Sequence, residues 1–451
     1  MNPSIFREYD IRGLAEKDFD APFAHLLGKI LGTLIRARGG TRVAVGRDCR
    51  AMSDPYAESV IAGLLSTGLK VYDIGVCPTP LLYFSLFHLD LDGGVQVTAS
   101  HNPAEYNGFK VCLGKDTLYG DQIQDLRMRM ERGDVKEEKS GQRESYEIIP
   151  QYHQYVLRNV PCLARPLRVV IDAGSGVAGP VAPPIFRELG CAVWELACVP
   201  DGRFPIHHPD PTVPKNLEDL IHKVKQEDAD LGIAYDGDAD RIGVVDEKGN
   251  ILWGDELLIM FSRDLLKNHP QAVIISEVKC SQRLYDEIAK HGGKPIMWKA
   301  GHSLLKAKMK ETKALLGGEM SGHMFFADRY FGYDDAIYAS VRLVELLARG
   351  SKPLSSLLAD VPETVSTPEI RVDCPDDKKF LIAEKATEFF RKLHPVVDVD
   401  GVRVQFAEGW GLIRASNTQP ALVLRFEAKT AAKLVEYRKI IEDKLRELES
   451  I

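Results

Sequence analysis

One βαβ pattern occurs three times along the chain, and this repetition constrains the fold more than any other feature. In the first copy, residues 41–46 read as a strand, 54–66 as a helix and 71–74 as a second strand, with Gly68 between the last two. In the second, 167–172 lead through a Gly-rich turn to a helix ending near Gly190, and 193–196 form the next strand. In the third, 272–276 precede a helix over 281–289, Gly292-Gly293 and a strand at 295–298. A βαβ unit implies parallel pairing through a right-handed crossover. Each copy then runs into a further strand that empties into a polar loop, at 98–107, 236–241 and 317–323. Ligands of open α/β sheets sit beyond the carboxyl ends of the strands, so these loops suggest one site assembled between domains.

The tail breaks the pattern. It has strand character over 365–372, a helix over 377–394, strands over 401–406 and 422–427 and a charged helix over 430–449, which suggests a small α+β domain. Boundaries near 148, 250 and 362 divide the chain into domains 1–148, 149–250, 251–362 and 363–451. A fourth polar loop, Arg414-Ala415-Ser416-Asn417-Thr418-Gln419-Pro420, lies between two tail strands.

Composition narrows the function. A chain of 451 residues holds several domains. A net charge of -7 without a basic cluster argues against a nucleic-acid groove. No run is apolar and long enough to span a bilayer, and residues 1–10 lack the apolar core of a signal peptide. The eight cysteines show no CxxC spacing and read as buried thiols of a reducing compartment, so a cytoplasmic protein is expected.

The loops carry the chemistry. Thr98-Ala99-Ser100-His101-Asn102-Pro103 presents a serine hydroxyl in a bend after the apolar run 93–97, and Pro103 ends any regular element. Such a Ser-His pair suits a nucleophile or phosphate carrier, although alone it also reads as a capped turn. Asp236-Gly237-Asp238-Ala239-Asp240-Arg241 places alternate carboxylates around small residues, and hard oxygen donors favour Mg²⁺ or Ca²⁺ over zinc. An EF-hand is excluded: Arg241 stands where glycine would turn the loop, and both flanks read as strands. Three carboxylates leave open coordination positions, one of which a phosphate oxygen on Ser100 could fill.

Gly317-Gly318-Glu319-Met320-Ser321-Gly322-His323 offers a carboxylate and a hydroxyl two apart, suited to adjacent sugar hydroxyls. Arg414, Ser416, Asn417 and Thr418 combine a guanidinium, hydroxyls and an amide, as a phosphate clamp or a hairpin turn would. His302, after Lys299-Ala300-Gly301, and Lys279, ending a strand-like run, are weaker candidates, and His207-His208 reads as a loop among prolines.

Together these segments resemble the α-D-phosphohexomutase superfamily, in order and over essentially the whole chain, beginning with Phe6-Arg7-Glu8-Tyr9-Asp10-Ile11-Arg12-Gly13. The nearest resemblance is to its bacterial phosphomannomutase/phosphoglucomutase branch. It implies three related α/β domains with mixed sheets and a C-terminal α+β domain around a central cleft. It implies that Ser100 is a phosphoserine and that Asp236, Asp238 and Asp240 hold Mg²⁺ together with one of its oxygens. Arg241 then lies beside the metal, Glu319 and Ser321 grip sugar hydroxyls, and Arg414, Ser416, Asn417 and Thr418 bind the substrate's phosphate. Tyr9, Arg12, His101, Lys110, Lys279, His302 and His323 match further cleft positions, with proton transfer open among Lys110, His101 and His302.

The implied reaction interconverts hexose 1-phosphate and hexose 6-phosphate through a hexose 1,6-bisphosphate that also serves as activator. Hexose phosphates are then the partners, and the chain is a monomer or a weak homo-oligomer. Three other readings remain at this point: a phosphoglucosamine mutase, a metal-dependent sugar phosphatase and a non-catalytic sugar-phosphate binding protein. Met320, between Glu319 and Ser321, favours the phosphomannomutase/phosphoglucomutase branch over the amino sugar.

Overall fold

The computed structural model describes every residue except 139, 161, 417–419 and 450–451. The chain divides into two compact units, one comprising Met1–Leu257 with Ser321–Leu357, the other Leu258–Met320 with Leu358 onward.

The first unit contains two mixed sheets built on one plan. In the first sheet, Arg42–Arg47 pairs in parallel with Lys70–Val76 on one side and Gly93–Val97 on the other. Tyr106–Leu113 then pairs antiparallel with Gly93–Val97, and Ile11–Leu14 antiparallel with Tyr106–Leu113. In the second sheet, Arg168–Asp172 lies between Ala192–Leu196 and Leu231–Tyr235, both parallel to it, and Ile242–Asp246 returns antiparallel along Leu231–Tyr235. The second unit repeats the parallel core: Val273–Glu277 lies between Lys294–Trp298 and Leu316–Gly318. In all three, the chain emerges at the carboxyl end of the third strand into one of the polar loops.

Packing follows from pattern. Leu27, Ile30 and Leu31 share a face of helix Ala21–Ala37, which joins helix Ser53–Leu65 in a core with Val43, Val45, Val95 and Phe109. Asp20 caps that helix by accepting from the Phe23 amide at 2.9 Å. The interior strands are apolar on both faces because helices cover both. Helix Thr79–His88 has no polar stripe: Thr79 through Leu86 are all buried, so its sequence carries no amphipathic period.

The tail forms the expected α+β arrangement, and its strands pair antiparallel beneath two helices. Its core joins Ile382, Ala386 and Phe390 of helix Asp376–Arg391 to Ile441 and Leu445 of helix Ala431–Glu449, over Val404, Ile413 and Leu424. The continuous strand expected over 365–372 is two strands, Val365–Ser366 and Ile370–Asp373, both paired with Ala421–Ala428. Pro368 lies in the gap, and proline cannot donate to a sheet ladder. Arg414, expected in a loop, lies within strand Gly409–Ala415. None of the eight cysteines is in a disulfide, and five are buried: Cys77, Cys112, Cys191, Cys280 and Cys374. Among the described residues, no helix is long and apolar enough to cross a membrane.

Candidate active site

Ser100 leaves the carboxyl end of Gly93–Val97 in a left-handed conformation, with φ of 52°, which is uncommon for a residue with a side chain. The surroundings hold it there. The Ser100 amide donates to Thr98 Oγ1 at 2.9 Å, and Thr98 Oγ1 donates to Asp48 Oδ2 at 2.7 Å. Beneath the loop, the buried Arg50 guanidinium donates to the carbonyls of Ser100 at 2.8 Å, Asn102 at 2.6 Å, Pro103 at 2.5 Å and Tyr106 at 3.1 Å. Asp48 balances that charge and accepts from Arg50 Nε at 3.1 Å.

The buried Ser100 hydroxyl donates to Asp236 Oδ2 at 2.6 Å and lies 3.1 Å from His101 Nδ1. Burial, with Arg241 and Arg12 nearby, lowers the His101 pKa well below the usual histidine range, so its ring is neutral. Arg12 donates to Asn102 Oδ1 at 2.7 Å and pairs with Asp10. Tyr9, from the same N-terminal segment, is half-buried.

Asp236, Asp238 and Asp240 occupy the hairpin between Leu231–Tyr235 and Ile242–Asp246. All three are buried, and their nearest carboxylate oxygens lie within 4.8 Å of one another. Gly237 is required by proximity: a Cβ there would stand 2.4 Å from the Ser100 carbonyl oxygen. Ala239 is left-handed, with φ of 61°. Burial, with Asp240 and Asp238 close by, raises the Asp236 pKa well above the carboxylate range. For Asp240 burial acts in the same direction, but Lys110 and His323 outweigh it and hold the pKa well below that range.

The donor set fits a divalent cation. Asp238 Oδ1 is fully buried without a hydrogen-bond partner, and three converging carboxylates are the ligands a hard ion takes. Asp238 Oδ2 accepts from Thr79 Oγ1 at the N-terminus of helix Thr79–His88. Lys110, on strand Tyr106–Leu113, donates to Asp238 Oδ2 at 2.7 Å and also to Asp240 Oδ2. Burial alone would lower the Lys110 pKa, but Asp238 and Asp240 outweigh it and raise the value, so the group stays an ammonium.

His323 Nε2 lies 3.2 Å from Asp240 Oδ1 and 3.4 Å from Arg241 Nε, and Ser321 Oγ lies 3.3 Å from His323 Nδ1. The turn carrying them is fixed by Gly322, with φ of 96°, where a Cβ would meet the Ile242 carbonyl oxygen at 2.3 Å. Thus the first unit brings together Ser100, His101, Lys110, Asp236, Asp238, Asp240, Arg241, Ser321 and His323.

The second unit gathers another set. Glu319 accepts from the Gly301 amide at 2.7 Å, next to the buried His302 that opens helix His302–Thr312. Lys279 Nζ stands 3.3 Å from Glu369 Oε2 and 3.4 Å from Glu277 Oε2. Arg414 Nε donates to Asp400 Oδ2 at 3.0 Å, and the same oxygen accepts from the Ala300 amide at 3.0 Å. Ser416 is buried beside Arg414 in sequence. Asn417 and Thr418 lie outside the described residues. The turn carrying Lys279 is clamped by Arg403, which donates to the Val278 and Cys280 carbonyls at 2.8 and 2.7 Å, and by Arg425, which donates to the Lys279 carbonyl.

Sequence reasoning missed Asp48, Arg50 and Thr79. Asp48 and Arg50 follow strand Arg42–Arg47, at the same carboxyl-end position as the polar loops, which was a usable signal. The loop histidine His207 is half-buried in an ion pair with Asp172, at 2.9 Å, rather than in a metal pair with His208.

The chain matches four successive family models described as phosphoglucomutase/phosphomannomutase: domain I over residues 3–136, domain II over 150–249, domain III over 253–365 and the C-terminal domain over 369–444. It is 46% identical to a phosphomannomutase/phosphoglucomutase of Pseudomonas aeruginosa, over 99% of this chain and 96% of that protein. It is 44% identical to a phosphoglucomutase of Neisseria meningitidis, over 95% of this chain and 94% of that one. A crystal structure of a phosphoglucomutase/phosphomannomutase family protein from Burkholderia thailandensis superimposes with a TM-score of 0.93 at 42% identity, covering all of this chain and 98% of that one. A serine beside three buried aspartates, and four matched domains in order, lead to one assignment: this chain belongs to the phosphoglucomutase/phosphomannomutase family, a family of mutases.

Proposed function

We propose that the protein interconverts the 1-phosphates and 6-phosphates of glucose and mannose, with Ser100 as phosphoryl carrier and a hexose 1,6-bisphosphate as bound intermediate. The observation that carries this reading is the Ser100 hydroxyl, held 2.6 Å from Asp236 at the edge of a buried acidic trio. A serine in that position is poor at ionising itself but well placed as an ester whose phosphoryl charge a cation offsets.

In the forward half-reaction, the bond between phosphorus and Ser100 Oγ breaks, and a bond forms to the free hydroxyl of the hexose phosphate. The proton of that hydroxyl goes to a base, and the leaving Ser100 oxygen takes up one proton to become a serine hydroxyl, so the exchange is proton-neutral. Among the nearby groups the neutral His101 ring, with Nδ1 3.1 Å from Ser100 Oγ, can take up a proton, whereas Lys110 is already protonated. The return half-reaction moves the other phosphoryl group of the bisphosphate back to Ser100. Asp236, Asp238 and Asp240 hold Mg²⁺, which supplies electrostatic stabilisation to the transferring phosphoryl group. Arg241 and Arg12 add fixed positive charge on the same unit. Glu319 and Ser321 contact sugar hydroxyls, Tyr9, Lys279, His302 and His323 line the substrate's path, and Arg414, Ser416, Asn417 and Thr418 hold the non-reacting phosphate.

Intact-protein mass spectrometry after incubation with glucose 1,6-bisphosphate and Mg²⁺ tests the carrier role. Gain of one phosphoryl group, mapped to Ser100 and missing in Ser100→Ala, is the expected result. Labelling elsewhere, or none, contradicts it.

A further inference from the structure

Glu277 ends strand Val273–Glu277, and its carboxyl group is wholly buried. Oε1 accepts from the Met320 amide at 3.1 Å, which ties down the backbone between Glu319 and Ser321. Oε2 has no hydrogen-bond partner and stands 3.4 Å from Lys279 Nζ. The Glu277 carbonyl oxygen is separately fixed by Tyr285, whose hydroxyl donates to it at 2.7 Å.

Charged groups reach Glu277 from every side. Lys279 comes from the following turn, Glu319 from the loop after Leu316–Gly318, Glu369 from the segment before Ile370–Asp373, and Arg414 from Gly409–Ala415. Arg425 caps the Lys279 carbonyl from strand Ala421–Ala428. Arg414 is itself paired with Asp400, and Glu369 also with Arg371, so Glu277, Glu319, Glu369 and Asp400 share Lys279, Arg414 and Arg371. Burial is the largest influence on Glu277, and with the repulsion of Glu319 and Glu369 it overcomes the attraction of Lys279 and Arg414, raising the pKa to about 7.

We propose that Glu277 is a positioning residue of the sugar-phosphate site, anchoring the Met320 backbone through one oxygen and competing with the anionic substrate for Lys279 through the other. The proposal rests on the functional reading above, which places Lys279 and Glu319 in contact with substrate. When Glu277 is neutral, Lys279 keeps its pair with Glu369 and is available to a phosphate. When Glu277 ionises, it draws Lys279 inward and adds a negative charge beneath the site. Substrate affinity therefore falls as pH rises through neutrality, and binding of an anionic substrate above pH 7 returns a proton to Glu277.

The test compares wild type with Glu277→Gln, which keeps an acceptor for the Met320 amide but cannot ionise. The substrate's own phosphate titrates identically for both proteins, so the difference between them reports Glu277. KM for glucose 1-phosphate is expected to rise between pH 6 and pH 8 by about threefold more in wild type than in the variant, with kcat changing less than KM. Glu277→Ala, which also frees the Met320 amide, raises KM at every pH. Calorimetry provides a measurement independent of turnover. Glucose 6-phosphate binding to Ser100→Ala protein at pH 8, in buffers of different ionisation enthalpy, is expected to show proton uptake. The same titration on Ser100→Ala/Glu277→Gln is expected to show none. No proton uptake with Glu277 present overturns the proposal even if either Glu277 variant fails to fold, and parallel pH profiles overturn it where Glu277→Gln folds. Absence of mutase turnover in wild type instead counts against the functional reading, while the calorimetric arm still decides the role of Glu277.

Discussion

The Arg50 guanidinium donates to the Ser100 carbonyl oxygen at 2.8 Å, from beneath a loop whose serine is in a left-handed conformation. The same guanidinium reaches the carbonyls of Asn102 and Pro103 in that loop and of Tyr106 at the start of the next strand, so one buried cation satisfies several backbone acceptors at the turn. Strain at Ser100 is thus stabilised from below, and the hydroxyl is left to face Asp236. Replacing Arg50 with Met removes the donors and leaves Asp48 buried without its cation. Denaturant unfolding is expected to show a loss of ~3–5 kcal/mol, the range for breaking a buried ion pair. Arg50→Lys keeps the charge but not the fork, so it recovers part of the stability and little of the phosphorylation at Ser100. Full phosphorylation of Arg50→Lys contradicts this role.

Gly237 separates two of the metal-loop aspartates and passes close to Ser100. In Gly237→Ala the added methyl collides with backbone, which cannot move aside without displacing either loop. Mg²⁺ affinity is expected to weaken by about tenfold, ~1.4 kcal/mol, measured by calorimetry. Unchanged affinity shows that the two loops are not mechanically linked.

Lys110 neutralises Asp238 and Asp240. Lys110→Met leaves the acidic trio without that charge, so cation affinity is expected to rise while kcat falls by about 100-fold for want of a positive group at the reacting centre. Weaker Mg²⁺ binding in Lys110→Met, by the same calorimetry, contradicts this.

Hydrogen bonding to Asp172 raises the His207 pKa to about 9, against the opposing effect of burial. A histidine raised on folding contributes stability that is complete below its unfolded pKa, roughly 6.5, and is lost as pH climbs through the folded value. His207→Gln is therefore expected to lower the melting temperature at pH 6 by several degrees more than at pH 10. Equal losses at the two pH values show that the ion pair adds nothing beyond packing.

Sequence patterns reveal elements with strong periodicity and loops with unusual composition. The three parallel units and the aspartate hairpin were legible because Val169-Val170-Ile171 and Leu231-Gly232-Ile233 are short apolar runs bounded by turn residues. Helix Thr79–His88 was not legible, because a helix buried on all sides has no polar face to mark its period. Its first residue, Thr79, consequently escaped notice as a partner of Asp238. Arg50 was hidden for another reason: its role depends on contacts with residues about fifty positions away, which no local pattern encodes. Glu277 ends an ordinary apolar strand, and only burial among Lys279, Glu319, Glu369 and Arg414 distinguishes it.

The central claim is that Ser100 carries the phosphoryl group between the two ends of a hexose. The most direct measurement follows conversion of glucose 1-phosphate and mannose 1-phosphate by wild type and Ser100→Ala, with Mg²⁺ and a trace of glucose 1,6-bisphosphate. Formation of the 6-phosphates by wild type, without release of inorganic phosphate and with severe loss in the variant, is the predicted result. Release of inorganic phosphate as the main product, or equal turnover by Ser100→Ala, contradicts the claim.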